Sequence, residues 1–310
     1  MSNENDSLTG LWTILRTLQW TADYFRRQGV PSARATAELL LSHCLACERI
    51  DLYLRHDQPL QADELARFKA LIQRRQQREP DAYIIGRREF WSLSFQVNPD
   101  VLIPRPETEC LVETALARQP THDPIEVLEL GTGSGAICVA LAHERPSWRI
   151  KATDISSKAL NVARRNADHL LGDHPLSFIE GSWFEPLGTY RHFFDLVVSN
   201  PPYIVRKDLE DLAPEVSRFE PALALDGGDD GLSCLKHIIQ TAPHYLKPEG
   251  VLILEIGHDQ APAVTALGRH AGAYRTIQIA KDYGGRDRVA CFQLKKYCES
   301  NRDLLMVPDF

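Results

Sequence analysis

The chain has 310 residues, enough for one large or two ordinary domains, and its hydrophobic content of 44% is normal for a globular protein. No apolar run reaches the length of a membrane span and the amino terminus lacks a basic signal region, so we expect a cytoplasmic protein without membrane contact. The formal net charge of -7 disfavours nonspecific binding of long nucleic acid, and the seven dispersed cysteines suit reduced thiols better than disulfides.

The first 80 residues carry apolar side chains at helical spacing, which predicts a helical domain over residues 1–80. The recurring positions are Leu11, Ile14, Leu15, Leu18, Ala22 and Phe25, then Ala37, Leu40, Leu41, Cys44 and Leu45, then Leu65, Phe68, Leu71 and Ile72. Cys44 and Cys47 lie in the second stretch without another pair at zinc-ligand spacing. We interpret them as part of a helix face and assign no metal site.

A basic segment, residues 67–78, follows within the third helical stretch. Its cations are Arg67, Lys69, Arg74, Arg75 and Arg78. Charged helix surfaces are ordinary, so a solvated helix face is the favoured interpretation. The alternative is a docking face for an acidic protein partner.

Residues 86–103 alternate between polar and apolar side chains, with Phe90, Leu93, Phe95 and Val97 on the apolar side. This alternation predicts a β-hairpin. We place it in a linker over residues 81–107, and the prolines at 104 and 106 end it.

From residue 108 onward, strand-like and helix-like stretches alternate, which predicts a parallel sheet covered on both faces, an α/β domain over residues 108–295. The predicted strands are 126–130, 148–153, 176–180, 194–199, 251–256, 274–280 and 288–294. The predicted helices are 136–142, 157–171 and 231–246. Residues 206–225 form a long charged segment that we interpret as a loop closing over substrate, and residues 296–310 a flexible tail without an assigned role.

A glycine turn joins the first of these strands to the first helix; it consists of Gly131, Thr132, Gly133, Ser134 and Gly135. Glycines let the backbone approach a ligand closely, and N–H groups at a helix start can donate to its polar atoms. Asp154 ends the next strand, where a carboxylate could accept hydrogen bonds from both ribose hydroxyls of a nucleoside. The G-x-G-x-G spacing differs from the dinucleotide fingerprint, which disfavours a nicotinamide or flavin oxidoreductase.

The stretch Asn200, Pro201, Pro202 and Tyr203 begins where the strand 194–199 ends. An amide nitrogen is a poor nucleophile because its lone pair is delocalised into the carbonyl. The Asn200 side-chain oxygen and the Pro201 carbonyl could each accept a hydrogen bond from such a nitrogen, while Tyr203 offers a flat face for stacking. Pro202 holds the preceding backbone extended. The stretch indicates methyl transfer to an amide or amino nitrogen.

Together these motifs resemble those of class I S-adenosylmethionine-dependent methyltransferases that act on amide or exocyclic amino nitrogens. Residues 86–93, 102–109 and 218–221 further resemble the PrmC/HemK family, glutamine N5-methyltransferases of peptide chain release factors. The resemblance implies a Rossmann-like, mostly parallel seven-stranded sheet with an antiparallel final strand, and a small N-terminal helical domain that recognises substrate. It also implies S-adenosylmethionine as cofactor, S-adenosylhomocysteine as product, and the Gly-Gly-Gln glutamine of class 1 release factors as target.

The resemblance also implies residue roles. The methionine portion of the cofactor would lie along Gly131, Thr132, Gly133, Ser134 and Gly135, its ribose on Asp154, and its adenine beside Trp183. Asn200, Pro201, Pro202 and Tyr203 would bind the substrate glutamine, with Asn200 also near the sulfonium. Many methyltransferases carry an acidic residue where Ser182 stands, so the contact to the adenine amino group is left unassigned.

Three alternatives to methylation of a release factor remain open from the sequence. The same chemistry would methylate a ribosomal protein glutamine, and the same clamp would fit the amino group of adenine in nucleic acid. Methylation of adenine would require base flipping and a basic surface that binds the nucleic acid backbone. The net negative charge of the chain argues against such a surface. A cofactor-binding scaffold without turnover is the third, and the intact stretch from Asn200 to Tyr203 argues against it.

Overall fold

The computed structural model describes residues 11–119, 123–172 and 175–296, and these fall into two compact units. Among the described residues, the first unit contains those up to Arg87 together with Ala213–Phe219, and the second contains Arg88–Leu212 and those from Glu220 onward. Nearly all of the predicted tail, 297–310, lies outside the described residues. Within the described part of the chain, no helix is long and apolar enough to cross a membrane.

The first unit is helical, as predicted. Its helices are α1 (Ile14–Arg27), α2 (Ala33–Leu45), α3 (Asp51–Leu54), α4 (Ala62–Gln76) and α5 (Asp81–Ile85). Leu18, Phe25 and Leu41 of the predicted apolar faces are buried in one core. Leu11 and Leu15 are exposed instead. Leu11 precedes α1, and Leu15 lies about 100° around the helix from the buried Ile14, on its more exposed side.

The predicted hairpin forms, but it is shorter than expected. Strand β1 (Arg87–Phe90) pairs with β2 (Leu93–Gln96) in a two-stranded sheet, and Trp91 and Ser92 make the turn with positive φ angles of 54° and 57°. Residues 81–85 of the predicted linker are helical, as α5, and residues 97–105 form no strand. The polar and apolar residues beyond Gln96 therefore alternate without forming a paired strand. A side-chain pattern does not by itself provide a partner strand.

The second unit contains a seven-stranded sheet in the order β5-β4-β3-β6-β7-β9-β8. Its strands are β3 (Glu126–Leu130), β4 (Arg149–Asp154), β5 (Ser177–Glu180), β6 (Phe194–Ser199), β7 (Leu246–Glu255), β8 (Tyr274–Lys281) and β9 (Asp287–Leu294). Strands β3 to β7 pair in parallel, and β9 runs antiparallel to both of its neighbours. This confirms the class I methyltransferase fold with its reversed final strand.

The helices that follow the hairpin in the chain are α6 (Glu109–Arg118), α7 (Ala136–Glu144), α8 (Ser157–Leu171), the short α9 (Pro214–Ser217), α10 (Ser233–Thr241) and α11 (Ala261–Ala271). The predicted helix over 231–246 was wrong after Thr241. A 3-10 turn occupies Ala242–His244, and β7 starts at Leu246, five residues earlier than predicted. Pro243 explains the break, because proline lacks the N–H that a continuing helix needs.

Both faces of the sheet are buried, because alternate residues of each strand point to opposite sides. Leu196 and Val198 pack into one layer with residues of α6 and α7, whereas Val197 of the same strand packs into the other with residues of α10 and α11. The central strands are therefore fixed from both sides. The residues that follow the carboxyl ends of these strands are therefore attached to a rigid part of the fold.

Candidate functional site

The predicted site motifs meet at one edge of the sheet. Register aligns Leu130 of β3 with Thr153 of β4 and with Ser199 of β6, and Ser199 with Leu254 of β7. The next residue on each strand or loop is Gly131, Asp154, Asn200 or Glu255, so all four stand at the same level. The strand order also reverses between β3 and β6, the point at which open α/β sheets bind ligands.

The glycine turn requires its glycines for two different reasons. Gly131, Gly133 and Gly135 have φ angles of 68°, 55° and 80°, a region that other residues rarely adopt. A Cβ on Gly133 would meet nothing within 4 Å, whereas one on Gly135 would stand 3.1 Å from the Ala163 Cβ of α8. Gly133 therefore leaves space for a ligand, and Gly135 allows close packing of the helix behind it.

Asp154 is already tied to the glycine turn. One carboxylate oxygen accepts a 2.8 Å hydrogen bond from the Gly133 N–H and the other a 2.9 Å bond from the Ser156 N–H. Burial raises the pKa of Asp154, and these two backbone donors act in the opposite direction. The remaining lone pairs of the carboxylate are able to accept hydroxyl donors.

Trp183 sits in a strained conformation against the glycine turn. Its φ is 48°, an unusual value for a bulky residue, and the Thr153 hydroxyl donates a 3.0 Å hydrogen bond to its carbonyl oxygen. A Cβ on Gly131 would lie 3.5 Å from the indole ring. The ring is thus held beside the turn.

Glu129, which the sequence analysis did not assign a role, is a buried carboxylate next to the turn. Its Oε2 accepts hydrogen bonds from the Thr132 hydroxyl at 2.6 Å and the Cys138 N–H at 3.2 Å. Among the described residues, its Oε1 has no hydrogen-bond partner. Burial raises the pKa of Glu129 to about 7. An acidic residue between the buried Leu128 and Leu130, directly before the glycine turn, was the feature that could have identified it.

Asn200 and Tyr203 share a buried hydrogen-bond network that the sequence analysis also missed. Asn200 Nδ2 donates to the Thr108 hydroxyl oxygen at 3.2 Å, and that hydroxyl donates to Glu255 at 2.6 Å. The Tyr203 hydroxyl donates to the other oxygen of Glu255 at 3.1 Å. Burial raises the pKa of both Glu255 and Tyr203. Gln260 further fixes the loop by donating to the Tyr203 carbonyl at 3.0 Å.

A cavity of about 270 Å³ opens at this edge of the sheet. The predicted site residues on its wall are Gly131, Gly133, Asp154, Trp183, Asn200 and Pro202. Ser182, the departure from the family pattern, lies there too, with the exposed apolar side chains of Ile155 and Leu223. Five predicted residues lie outside the wall: Thr132, Ser134, Gly135, Pro201 and Tyr203.

The basic segment 67–78 makes ion pairs within the helical unit. Arg75 and Arg78 both bind the carboxylate of Glu215 in α9, at 2.7 and 2.8 Å. Arg74 pairs with Glu79 at 2.5 Å. Arg75 is buried. These contacts give the arginines an internal function and weigh against the alternative of a docking face.

Two stretches of the family resemblance meet at Glu220. This buried carboxylate binds the Arg105 guanidinium at 2.5 Å and accepts a 3.0 Å hydrogen bond from the Ile103 N–H.

Among residues 11–119, 123–172 and 175–296, no three His, Cys, Asp or Glu side chains are grouped so that they could hold a metal ion.

Known proteins resemble this chain along most of its length. Residues 16–86 match the PrmC N-terminal domain, and residues 121–279 match a methyltransferase domain. The release factor glutamine methyltransferase of Geobacter sulfurreducens is 46% identical over 279 residues, covering 90% of this chain and 96% of the relative. The enzyme of the same name from Vibrio cholerae is 43% identical over 283 residues, covering 91% and 97%.

Among solved structures, the hMettl16 catalytic domain in complex with a MAT2A 3'UTR hairpin superposes with a TM-score of 0.53 at 14% identity, covering 77% of this chain and 84% of that one. A likeness at this identity concerns the fold alone. The sequence relatives show the family as well as the fold, since they match both units at well above 30% identity. The chain therefore belongs to the release factor glutamine methyltransferase family.

Proposed function

We propose that this protein transfers a methyl group from S-adenosylmethionine to the side-chain amide nitrogen, N5, of the glutamine in the Gly-Gly-Gln motif of class 1 peptide chain release factors. The reaction would take place in the cytoplasm. The observation that carries the proposal is the Asn200 carboxamide on the wall of the same cavity as Gly131, Gly133 and Asp154, in a chain of this family.

The polar groups at this edge of the sheet fit the proposed cofactor. Asp154 suits the ribose hydroxyls, the open space at Gly133 suits a closely approaching chain, and the unpartnered Oε1 of Glu129 suits a donor such as an amino group. Trp183 would border the adenine. Thr132, Ser134 and Gly135 would support this surface from behind. When bound, the cofactor supplies a methyl group on an already activated sulfonium leaving group.

The protein's own contribution would be to hold the substrate amide in line. Asn200 Oδ1 and the Pro201 carbonyl would accept the two N–H bonds of the glutamine side chain, which favours partial loss of amide conjugation. Pro202 would keep that carbonyl aimed, and the bond from the Tyr203 hydroxyl to Glu255 would hold the far end of the stretch in place. Alignment of this kind can supply much of the rate enhancement of a displacement reaction.

We assign recognition of the protein substrate to the helical unit, which matches the PrmC N-terminal domain. In this proposal, the second unit binds the cofactor and carries the residues that hold the glutamine. The ion pairs of Arg75 and Arg78 with Glu215 would maintain the helical unit rather than contact the partner.

The test is to incubate the protein with S-adenosylmethionine and a purified release factor, and to locate the added methyl by mass spectrometry. We expect one methyl on the Gly-Gly-Gln glutamine and none on a release factor whose target glutamine is replaced by glutamate, which lacks the amide nitrogen. In parallel incubations with ribosomal proteins or with nucleic acid, methyl found only on one of those substrates would contradict the proposal.

A further inference from the structure

Asn200 is connected to a buried carboxylate through one hydroxyl group. Thr108 lies between them, 3.2 Å from Asn200 Nδ2 and 2.6 Å from Glu255 Oε2. Thr108 and Glu255 are 4% and 1% exposed, so solvent does not compete for these bonds. The three residues come from three different elements: the loop after β6, the start of α6 and the end of β7.

The order of donors and acceptors in this network is fixed by chemistry. Glu255 accepts from Thr108 on one oxygen and from Tyr203 on the other, and a carboxylate that accepts on both oxygens has no proton to donate. The single hydroxyl proton of Thr108 is therefore used by Glu255. Thr108 can only accept from Asn200, and the group of Asn200 that donates is its NH2.

A flipped Asn200 amide would place its oxygen against a hydroxyl oxygen whose proton points elsewhere. Two acceptors would then face each other in a buried setting, which is unfavourable. The observed arrangement directs Nδ2 to Thr108 and leaves Oδ1 for the cavity, on whose wall Asn200 lies. Oδ1 is the atom that can accept a hydrogen bond from a substrate N–H.

We propose that Thr108 and Glu255 are positioning residues that set the amide orientation of Asn200, so that its oxygen and not its NH2 faces the substrate nitrogen. The inference rests on the proposed function, because it assigns Asn200 Oδ1 to the substrate amide. Through its second oxygen, Glu255 also fixes the Tyr203 hydroxyl. One carboxylate thereby orients both ends of the stretch from Asn200 to Tyr203.

The test compares Thr108→Val, which keeps the shape but loses the hydroxyl, with Thr108→Ser, which keeps the hydroxyl. For Thr108→Val we expect kcat for release factor methylation to fall about tenfold, the effect of one lost orienting hydrogen bond, with the KM for S-adenosylmethionine changed less than about twofold. Thr108→Ser should recover most of kcat. Thr114→Val is the matched control, because within the described residues the Thr114 hydroxyl bonds only the Cys110 carbonyl of its own helix, at 2.7 Å; it should behave as the wild type.

A wild-type kcat in Thr108→Val would overturn the inference, and so would equal losses in the Val and Ser variants, which would indicate packing instead. If Thr108→Val does not fold, Glu255→Gln provides the second measurement: its amide can donate to Thr108 and release the hydroxyl proton toward Asn200, so kcat should again fall. An unchanged kcat there counts against the inference. Failure of the wild-type protein to methylate a release factor would instead remove the proposed function.

Discussion

Single residues in or just after β3, β5 and β7 adopt energetically costly arrangements. Trp183 has a positive φ, and Glu129 keeps a carboxylate oxygen without a partner among the described residues. Glu255 is a buried carboxylate with two neutral donors. Strain and buried charge of this kind cluster where a protein is organised around a ligand. Glu255 is hydrogen-bonded to Asn200 through Thr108, so part of this organisation supports Asn200.

At this scale we predict that Asn200→Ala lowers the methyl-transfer rate at least about a hundredfold, the usual effect of losing one preorganised polar group. The dissociation constant of S-adenosylmethionine should change much less, because Asp154 and the glycine turn remain. Single-turnover rates and calorimetric binding measure the two effects separately. Asn161→Ala, at an exposed asparagine of α8, is the control. Near-normal turnover by Asn200→Ala would remove the residue from the mechanism.

At the scale of elements, the segment 206–225 is anchored at two carboxylates. Glu215 in α9 binds Arg75 and Arg78 in the helical unit, and Glu220 binds Arg105 and the Ile103 N–H in the second unit. The segment was predicted to be a loop that closes over substrate. Each of these contacts lies within one unit, and closure of the segment over substrate stays a prediction.

The Glu215 contacts lead to a pH dependence. Burial alone would raise the pKa of Glu215, but the hydrogen bonds from Arg78 and Arg75 lower it from 4.5 to about 2. A carboxyl group with a depressed folded-state pKa stabilises the fold fully above about pH 4.5, and this stabilisation is lost as the pH falls toward 2. We expect the free energy of unfolding of the helical unit to decrease over that range, and to do so less steeply in Glu215→Gln.

Denaturant unfolding followed by circular dichroism at pH 6, 5, 4 and 3 would measure this difference. Glu210→Gln, at an exposed position of the same segment, should retain the steep wild-type dependence. Equal slopes for the wild type and Glu215→Gln would show that the ion pairs contribute nothing.

At the scale of the whole molecule, the two units have separate cores. Phe25 is fully buried among residues of α1, α2 and α4, whereas Phe292 of β9 is fully buried on one face of the sheet. The site residues at the sheet edge all belong to the second unit. The cofactor site should therefore depend on the second core, and substrate recognition on the first.

We predict that Phe25→Ala destabilises the helical unit by about 3 to 5 kcal/mol, the usual cost of such a cavity, with little change in S-adenosylmethionine affinity. Hydrogen exchange should show lost protection in α1, α2 and α4 and retained protection in β3 and β6. Phe292→Ala should show the reverse pattern and weaken cofactor binding. Equal loss of protection in both units for Phe25→Ala would mean that they unfold as one.

The sequence by itself determined the features that depend on neighbouring residues: the helical faces of the first unit, all seven strands of the sheet, and the motifs at Gly131 to Gly135, Asp154 and Asn200 to Tyr203. These follow from local periodicity and turn chemistry. Only the tertiary structure decided which residues support the motifs. Thr108 and Glu255 are 147 positions apart in the chain, and no spacing pattern connects them. The register of β6 with β7 and the start of α6 bring them together, because hydrogen bonds between distant segments form only after the sheet has set their positions.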